Sequence, residues 1–406
     1  MSFSRMRIGL DLRWLQQAYI NSPKGGLGGI GTFCRGLWLG LARAFPDVEL
    51  VALVSRGAIP EDFLRLIQAA PKHQIQAFGL SGFLPSLDSR GQYTLILRIL
   101  ESELGLAARL DKLGLDVLHM LDHTPPPRRV SCPTVVTVYD LIGLKGNAKS
   151  LRAKIFEVLQ RKQFLNIKRA SLLVSISQPT RDNLARYFPQ RADHGSVVFP
   201  GIDVNVFKQR AHSIDYFKQR FSLRGDYFIH VGILTDRKNP LGLIRAMRRV
   251  VDTYQKEIML VCVGPYQVSP AARERVVELA REYGIENHLL MLGDVSTEEL
   301  ASLYQHALGL VFPSFAEGFG LPALECLACG TPCVVSQTTS LPEVVGDLGI
   351  LVDPYSAQEI ADGMLRLLAD EPYRDMIKAK GPLWAQRFSF EAMAVSYMRL
   401  YRSLAC

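Results

Sequence analysis

Glu317 and Glu325 bracket a stretch of permissive backbone, Gly318-Phe319-Gly320-Leu321-Pro322. Gly318 and Gly320 allow a sharp turn and close approach by a second molecule. Pro322 suits the first turn of a helix, where a missing N–H costs nothing. The free N–H groups and positive dipole end of such a helix make a seat for phosphate. Carboxylates cannot neutralise phosphate, so the two glutamates read as acceptors for hydroxyl groups on either side of a diphosphate. Sugar hydroxyls at one and ribose hydroxyls at the other fit that chemistry. Cations of the right kind lie upstream: Arg237 and Lys238, in the loop Gly232 to Asn239, could meet the diphosphate.

These residues need strands that end beside them. The apolar run Gly309 to Phe312 stops just before the glutamate loop and reads as a buried parallel strand. Tyr227 to Val231 does the same before the cation loop, followed by a helix from Pro240 to Tyr254 and a strand from Ile258 to Val263. Leu289 to Leu292 is a strand, and Ser296 or Thr297 caps the helix after it. Further strands are expected at Pro332 to Ser336 and Gly349 to Val352, and a last helix at Phe390 to Leu404.

The first half runs on the same plan, which implies a parallel sheet covered on both faces. The strand Arg7 to Leu12 leads to a glycine-rich loop, Lys24 to Gly31, and then to an amphipathic helix carrying Phe33, Leu37, Leu41 and Ala44. The runs Val117 to Met120, Thr134 to Val138 and Leu172 to Ser175 read as strands. Polar residues just past strand ends face the ligand crevice of such sheets, which makes His119, His123, Tyr139 and Asp140 site candidates. For His119 a core role, and for His123 a surface-loop role, stand as alternatives. The stretch Lys208 to Arg224 reads as a linker into the second half.

The filled motif Glu317 to Glu325 resembles the Glu-x7-Glu motif of retaining family 4 glycosyltransferases. The resemblance implies that Glu317 contacts the donor sugar and Glu325 the ribose, with Gly318, Phe319, Gly320 and Leu321 lining the donor. Arg237-Lys238-Asn239 is similar to a run in which the lysine binds the donor phosphates, beside Gly232. Other members carry an arginine directly after that glycine; here the residue is Ile233, with Arg237 the candidate to replace it. Family members also reach the donor with a Gly-Gly loop after the first strand, matched here by Gly28, Gly29 and Gly31, and place the nucleobase near Val295. Many have a histidine at Tyr139, and a phenol does not replace imidazole as a base near neutral pH, so Asp140 gains weight. Pro200 to Phe207 looks like the signature closing the first domain.

The fold implied is GT-B: two Rossmann-like, doubly wound α/β domains facing across a cleft. The boundaries are 1–205 for an acceptor-binding domain, 206–385 for a nucleotide-sugar-binding domain, and 386–406 for a helix crossing back to the first. The reaction implied is transfer of a hexose, with retention, from a nucleoside diphosphate sugar (UDP preferred over GDP) to a hydroxyl of a glycan or lipid-linked acceptor. Stabilising the departing diphosphate is then the main task, for Arg237, Lys238 and the N–H groups after Gly318, while Glu317 orients the sugar. No side chain stands out as a nucleophile, which favours same-face attack. No Asp-x-Asp occurs in the sequence, so no metal and no other cofactor is expected. A sugar-nucleotide 2-epimerase would turn over without an acceptor; a non-catalytic partner of an active transferase, suggested by Ile233 and Tyr139, would not turn over at all. A Rossmann dehydrogenase fits poorly, because Gly26 to Gly31 lies too far past the strand end.

Composition bounds the rest. The 406 residues carry 47 basic and 39 acidic side chains, a net charge of +8, which suits phosphates or an anionic surface without the density of a nucleic-acid binder. No apolar run nears the ~20 residues that span a bilayer, and the N-terminus has no signal-peptide core, so a cytoplasmic chain is expected. Its seven cysteines would be reduced there. Cys326, Cys329 and Cys333 lack a fourth ligand at zinc spacing and read as small buried residues. The basic stretch Lys149 to Arg169 holds apolar residues near helical spacing and is a candidate for peripheral contact with an anionic membrane.

Overall fold

The computed structural model describes residues 6–21, 27–77, 107–123, 125–141, 165, 167–189, 195–254, 256–266 and 269–405. They form two compact units, one of residues 6–21, 27–201 and 390–405, the other of residues 202–389.

The first unit is built on a seven-stranded sheet of order β3-β2-β1-β4-β5-β6-β7. Its strands are β1 (Arg7–Asp11), β2 (Glu49–Val54), β3 (His73–Ala77), β4 (Val117–Met120), β5 (Thr134–Val138), β6 (Leu172–Ser175) and β7 (Gly195–Val197). Every pairing is parallel. Runs such as Leu50 to Val54 and Val135 to Val138 are buried on both faces, as a helix-covered parallel sheet requires. The C-terminal helix Phe390–Ala405 packs in this unit against the helix Gly28–Ala44. The approach is close: a Cβ on Gly40 would lie 2.2 Å from the Phe390 carbonyl oxygen.

The second unit has a six-stranded sheet of order β10-β9-β8-β11-β12-β13. Its strands are β8 (Asp226–Val231), β9 (Ile258–Val263), β10 (Leu289–Leu292), β11 (Gly309–Phe312), β12 (Cys333–Ser336) and β13 (Ile350–Val352), again all parallel. The order reverses between β8 and β11, and the crevice past the carboxyl ends of two such strands is where open α/β sheets bind ligands.

Two expectations are corrected. Gly28, Gly29 and Gly31 do not lie in a loop but in the first turns of the helix Gly28–Ala44, after an unexpected helix Arg13–Asn21. Gly31 is there for packing, since its Cβ would lie 2.9 Å from that of Leu27. The supposed linker 208–224 contains a helix, Ile214–Phe221, capped by the Ser213 hydroxyl and anchored by buried Phe217. Residues 24–26, 149–164 and 166 of the glycine-rich and basic stretches lie outside the described residues. Among the described residues no helix is long and apolar enough to cross a membrane.

Candidate active site

The carboxyl ends of β8 and β11 present four side chains of the second unit to one another. Lys238 Nζ lies 2.7 Å from Glu317 Oε1, and Arg237 Nη1 lies 2.9 Å from Oε2. The side chains of Glu317 and Lys238 are only 9% and 11% exposed, so this is a buried ion cluster rather than a surface pair. Arg237 Nη1 also donates to the Ala316 carbonyl at 2.5 Å. Beneath the cluster the Lys238 ammonium sits 4.1 Å from the Phe312 ring centroid, a cation–π contact.

The scaffold that fixes these groups is local. Gly232 follows β8 with φ of +114°, in a region closed to most side chains, and its α-carbon faces the Lys238 side chain. Asp236–Lys238 makes one 3-10 turn, and Asn239 caps the helix Pro240–Thr253. The buried Asn239 amide also donates to the Pro313 and Pro354 carbonyls, at 3.2 and 2.6 Å, tying the cation loop to the loops after β11 and β13. The glutamate loop is held by the chain after β12. Thr339 Oγ1 accepts from Glu317 N at 3.0 Å, and Ser340 Oγ lies 3.1 and 2.7 Å from the carbonyls of Glu317 and Phe319. Gly320, with φ of +116°, then opens the helix Leu321–Ala328 with Pro322 in its first turn.

Burial would raise the Glu317 carboxyl, but Lys238 and Arg237, with the Ser314 hydroxyl, outweigh it and hold the group below its ordinary value. Burial also lowers the Lys238 ammonium, against the pull of Glu317. Glu325 stands apart from this cluster. It is half-buried on the helix Leu321–Ala328, its Oε2 accepts from the Tyr304 hydroxyl at 3.2 Å, and burial lifts its carboxyl to about 7. Val295 is half-buried between β10 and the helix Thr297–His306, whose cap is Ser296 in a reciprocal capping box with Glu299.

The remaining candidates belong to the first unit. His119 is packed in the core of this unit: it is fully buried, Nδ1 lies 2.6 Å from the Tyr401 hydroxyl and Nε2 2.8 Å from Thr137 Oγ1. Burial drives its imidazole down to about 3. Tyr139 is likewise buried, its phenol donating to the Leu121 carbonyl at 2.5 Å. Half-buried His123 accepts from the Tyr139 N–H through Nε2 at 2.9 Å. Its imidazole is lowered by burial, against the nearby carboxylates of Asp140 and Asp122. Asp140 and His123 thus share the ends of β4 and β5. The sequence reading missed a buried pair at the end of β1, Arg13 Nη2 to Asp11 Oδ2 at 2.7 Å. His230 was missed as well; its signal is a polar residue between Ile229 and Val231 near the end of β8.

Two family models match the chain: Glycosyltransferase Family 4 over residues 27–206 and Glycosyl transferases group 1 over residues 214–384. A serotype-specific mannosyltransferase, WbdA of Escherichia coli, is 30% identical over 270 residues, 65% of this chain and 33% of that protein. The O-antigen chain mannosyltransferase B of Escherichia coli is 32% identical over 246 residues, 58% of this chain and 61% of that protein. The chain therefore spans about a third of the first of these relatives and under two thirds of the second. Among solved structures, a sucrose-phosphate synthase from Thermosynechococcus elongatus has a TM-score of 0.75 at 22% identity, covering 98% of this chain and 99% of that one. Anabaena Alr3699/HepE, solved in complex with UDP and glucose, has a TM-score of 0.69 at 18% identity, covering 98% of this chain and 100% of that one. With two parallel-sheet α/β units and both halves matched, the chain belongs to the family 4 glycosyltransferases of the GT-B fold.

Proposed function

We propose that this protein is a retaining, metal-independent hexosyltransferase using a nucleoside diphosphate sugar, with UDP as the expected carrier and GDP as the alternative. The acceptor is a hydroxyl of a glycan or lipid-linked glycan in polysaccharide assembly. One observation carries the reading: at the switch point of the second sheet, Glu317 touches both Lys238 and Arg237 at the mouth of a helix N-terminus. Two cations and a helix end suit a departing diphosphate, and a carboxylate between them suits sugar hydroxyls. Arg237 reaching Glu317 supports it as the second cation in place of the one absent at Ile233. In the reaction the bond from anomeric carbon to phosphate oxygen breaks on the face where the acceptor oxygen bonds. The acceptor proton leaves with the diphosphate. The mannosyltransferase relatives favour mannose as the hexose.

The test is release of nucleoside diphosphate from UDP-glucose, UDP-galactose and GDP-mannose by the full chain, with and without excess chelator. Turnover of one of them, surviving chelator, supports the proposal. No turnover of any favours the non-catalytic partner, and turnover abolished by chelator contradicts metal independence. A sugar nucleotide converted with no acceptor dependence and no diphosphate release indicates the epimerase.

A further inference from the structure

Folded proteins leave few buried polar atoms without a hydrogen bond, and each exception calls for a cause. Among the described residues of the second unit His230 Nε2 is such an atom. It adjoins the cluster described above, where the charges of Lys238 and Glu317 both reach the imidazole. Glu317 Oε1 faces the Lys238 ammonium, and Ser314 neighbours the same carboxylate. The His230 ring stacks on Phe312 with centroids 5.5 Å apart, and Phe312 in turn carries the Lys238 ammonium on its face.

His230 is fully buried on β8, one residue before the strand ends. Its Nδ1 lies 2.9 Å from the Val311 carbonyl, which can only accept, so the ring proton sits on Nδ1 and Nε2 presents a lone pair. Burial, reinforced by Lys238, drives the imidazole down to about 3, so it is neutral at any working pH. A leucine or valine at this mid-sheet position would pack without an orphaned nitrogen. An acceptor retained beside a lysine that must change partners has a use only when the ligand arrives.

We propose that His230 is a positioning residue of the donor site, its Nε2 accepting from the Lys238 ammonium when the donor diphosphate draws that ammonium off Glu317. This rests on the reading of the site as a diphosphate-sugar seat. A neutral partner steers the lysine without cancelling its charge, which stays available to phosphate, and the freed carboxylate turns to the sugar hydroxyls.

Three variants of the full chain test it. His230→Asn keeps a donor for the Val311 carbonyl and loses the ε-nitrogen; His230→Phe keeps the ring volume; His230→Gln can place an amide oxygen near the ε position. Calorimetric titration with UDP and with GDP should show binding weakened about tenfold in the Asn and Phe variants and partly restored in Gln, the size of one hydrogen bond to a charged group. The KM for the sugar nucleotide should rise by a like factor while kcat changes less than about twofold. If one variant does not fold, the other carries the comparison. Wild-type affinity in the variants would overturn the role of His230, whatever their melting temperatures. A wild-type chain that binds neither UDP nor GDP would instead overturn the donor-site reading, and this inference with it.

Discussion

Glu317 holds Lys238 and Arg237 before any ligand is present, which makes the two cations rigid but also occupied. A bound diphosphate has to compete for them, and the gain is a site already shaped for it. Replacing Glu317 by Gln should lower kcat/KM for the sugar nucleotide by about 10²–10³, the scale of losing one preorganised electrostatic group. A melting curve should show the chain still folded; full activity would remove Glu317 from the chemistry. Glu325 gives a prediction about pH. Its carboxyl is raised from 4.5 to about 7, so within that window the folded chain keeps a proton that the unfolded chain has released. Stability should therefore fall as pH rises through the window, with a slope approaching about 1.4 kcal/mol per unit from this group. Denaturation midpoints between pH 5 and 8 should lose that contribution in Glu325→Gln, and an unchanged slope would place the titration elsewhere. The residues legible in the sequence were those whose type and spacing state their chemistry: Glu317, Glu325, Arg237 and Lys238. His230, Thr339 and Ser340 were not, because their roles come from strands and loops brought together only by the sheet. Position past or near a strand end does not say which way a side chain points, and His119 and Tyr139 are both buried in the first unit.

At the scale of elements, the strands and the helices around them followed closely from apolar runs and caps. Strands β2, β3 and β7 were among the elements not read, as were the helices Arg13–Asn21 and Ile214–Phe221, whose few turns leave little length in which to establish a period. Backbone constraints are sharper than propensities where elements touch. Gly320 opens the helix after the glutamate loop with φ of +116°, and a Cβ there would lie 2.5 Å from Leu341 Cδ2. Gly320→Ala should cost about 1–3 kcal/mol in stability and weaken nucleoside diphosphate binding as well, measurable by denaturation and titration. Gly40→Ala sets a Cβ against the Phe390 backbone, which cannot swing aside as a side chain could. It should loosen the C-terminal helix Phe390–Ala405, seen as faster amide exchange there, while exchange in the second unit stays as in wild type. Equal exchange across the helix would mean the contact is not limiting.

The whole chain carries a net charge of +8, and its basic segment 149–169 is a candidate for contact with anionic lipid. Cosedimentation with phosphatidylglycerol vesicles should exceed that with phosphatidylcholine vesicles and fall with salt, as surface electrostatics requires. Equal partition to both would remove the membrane from the account. The two-unit architecture was legible because each half repeats strand, loop and helix in parallel order; the donor and acceptor identities were not, because they depend on contacts made by the ligand itself. The most direct test of the central claim is a crystal structure of the full chain with a bound UDP- or GDP-hexose. Diphosphate oxygens within hydrogen-bond distance of Lys238 Nζ and Arg237, with Glu317 turned to the sugar hydroxyls, is the predicted result. A sugar nucleotide seated elsewhere, with Glu317 still holding both cations, would contradict it.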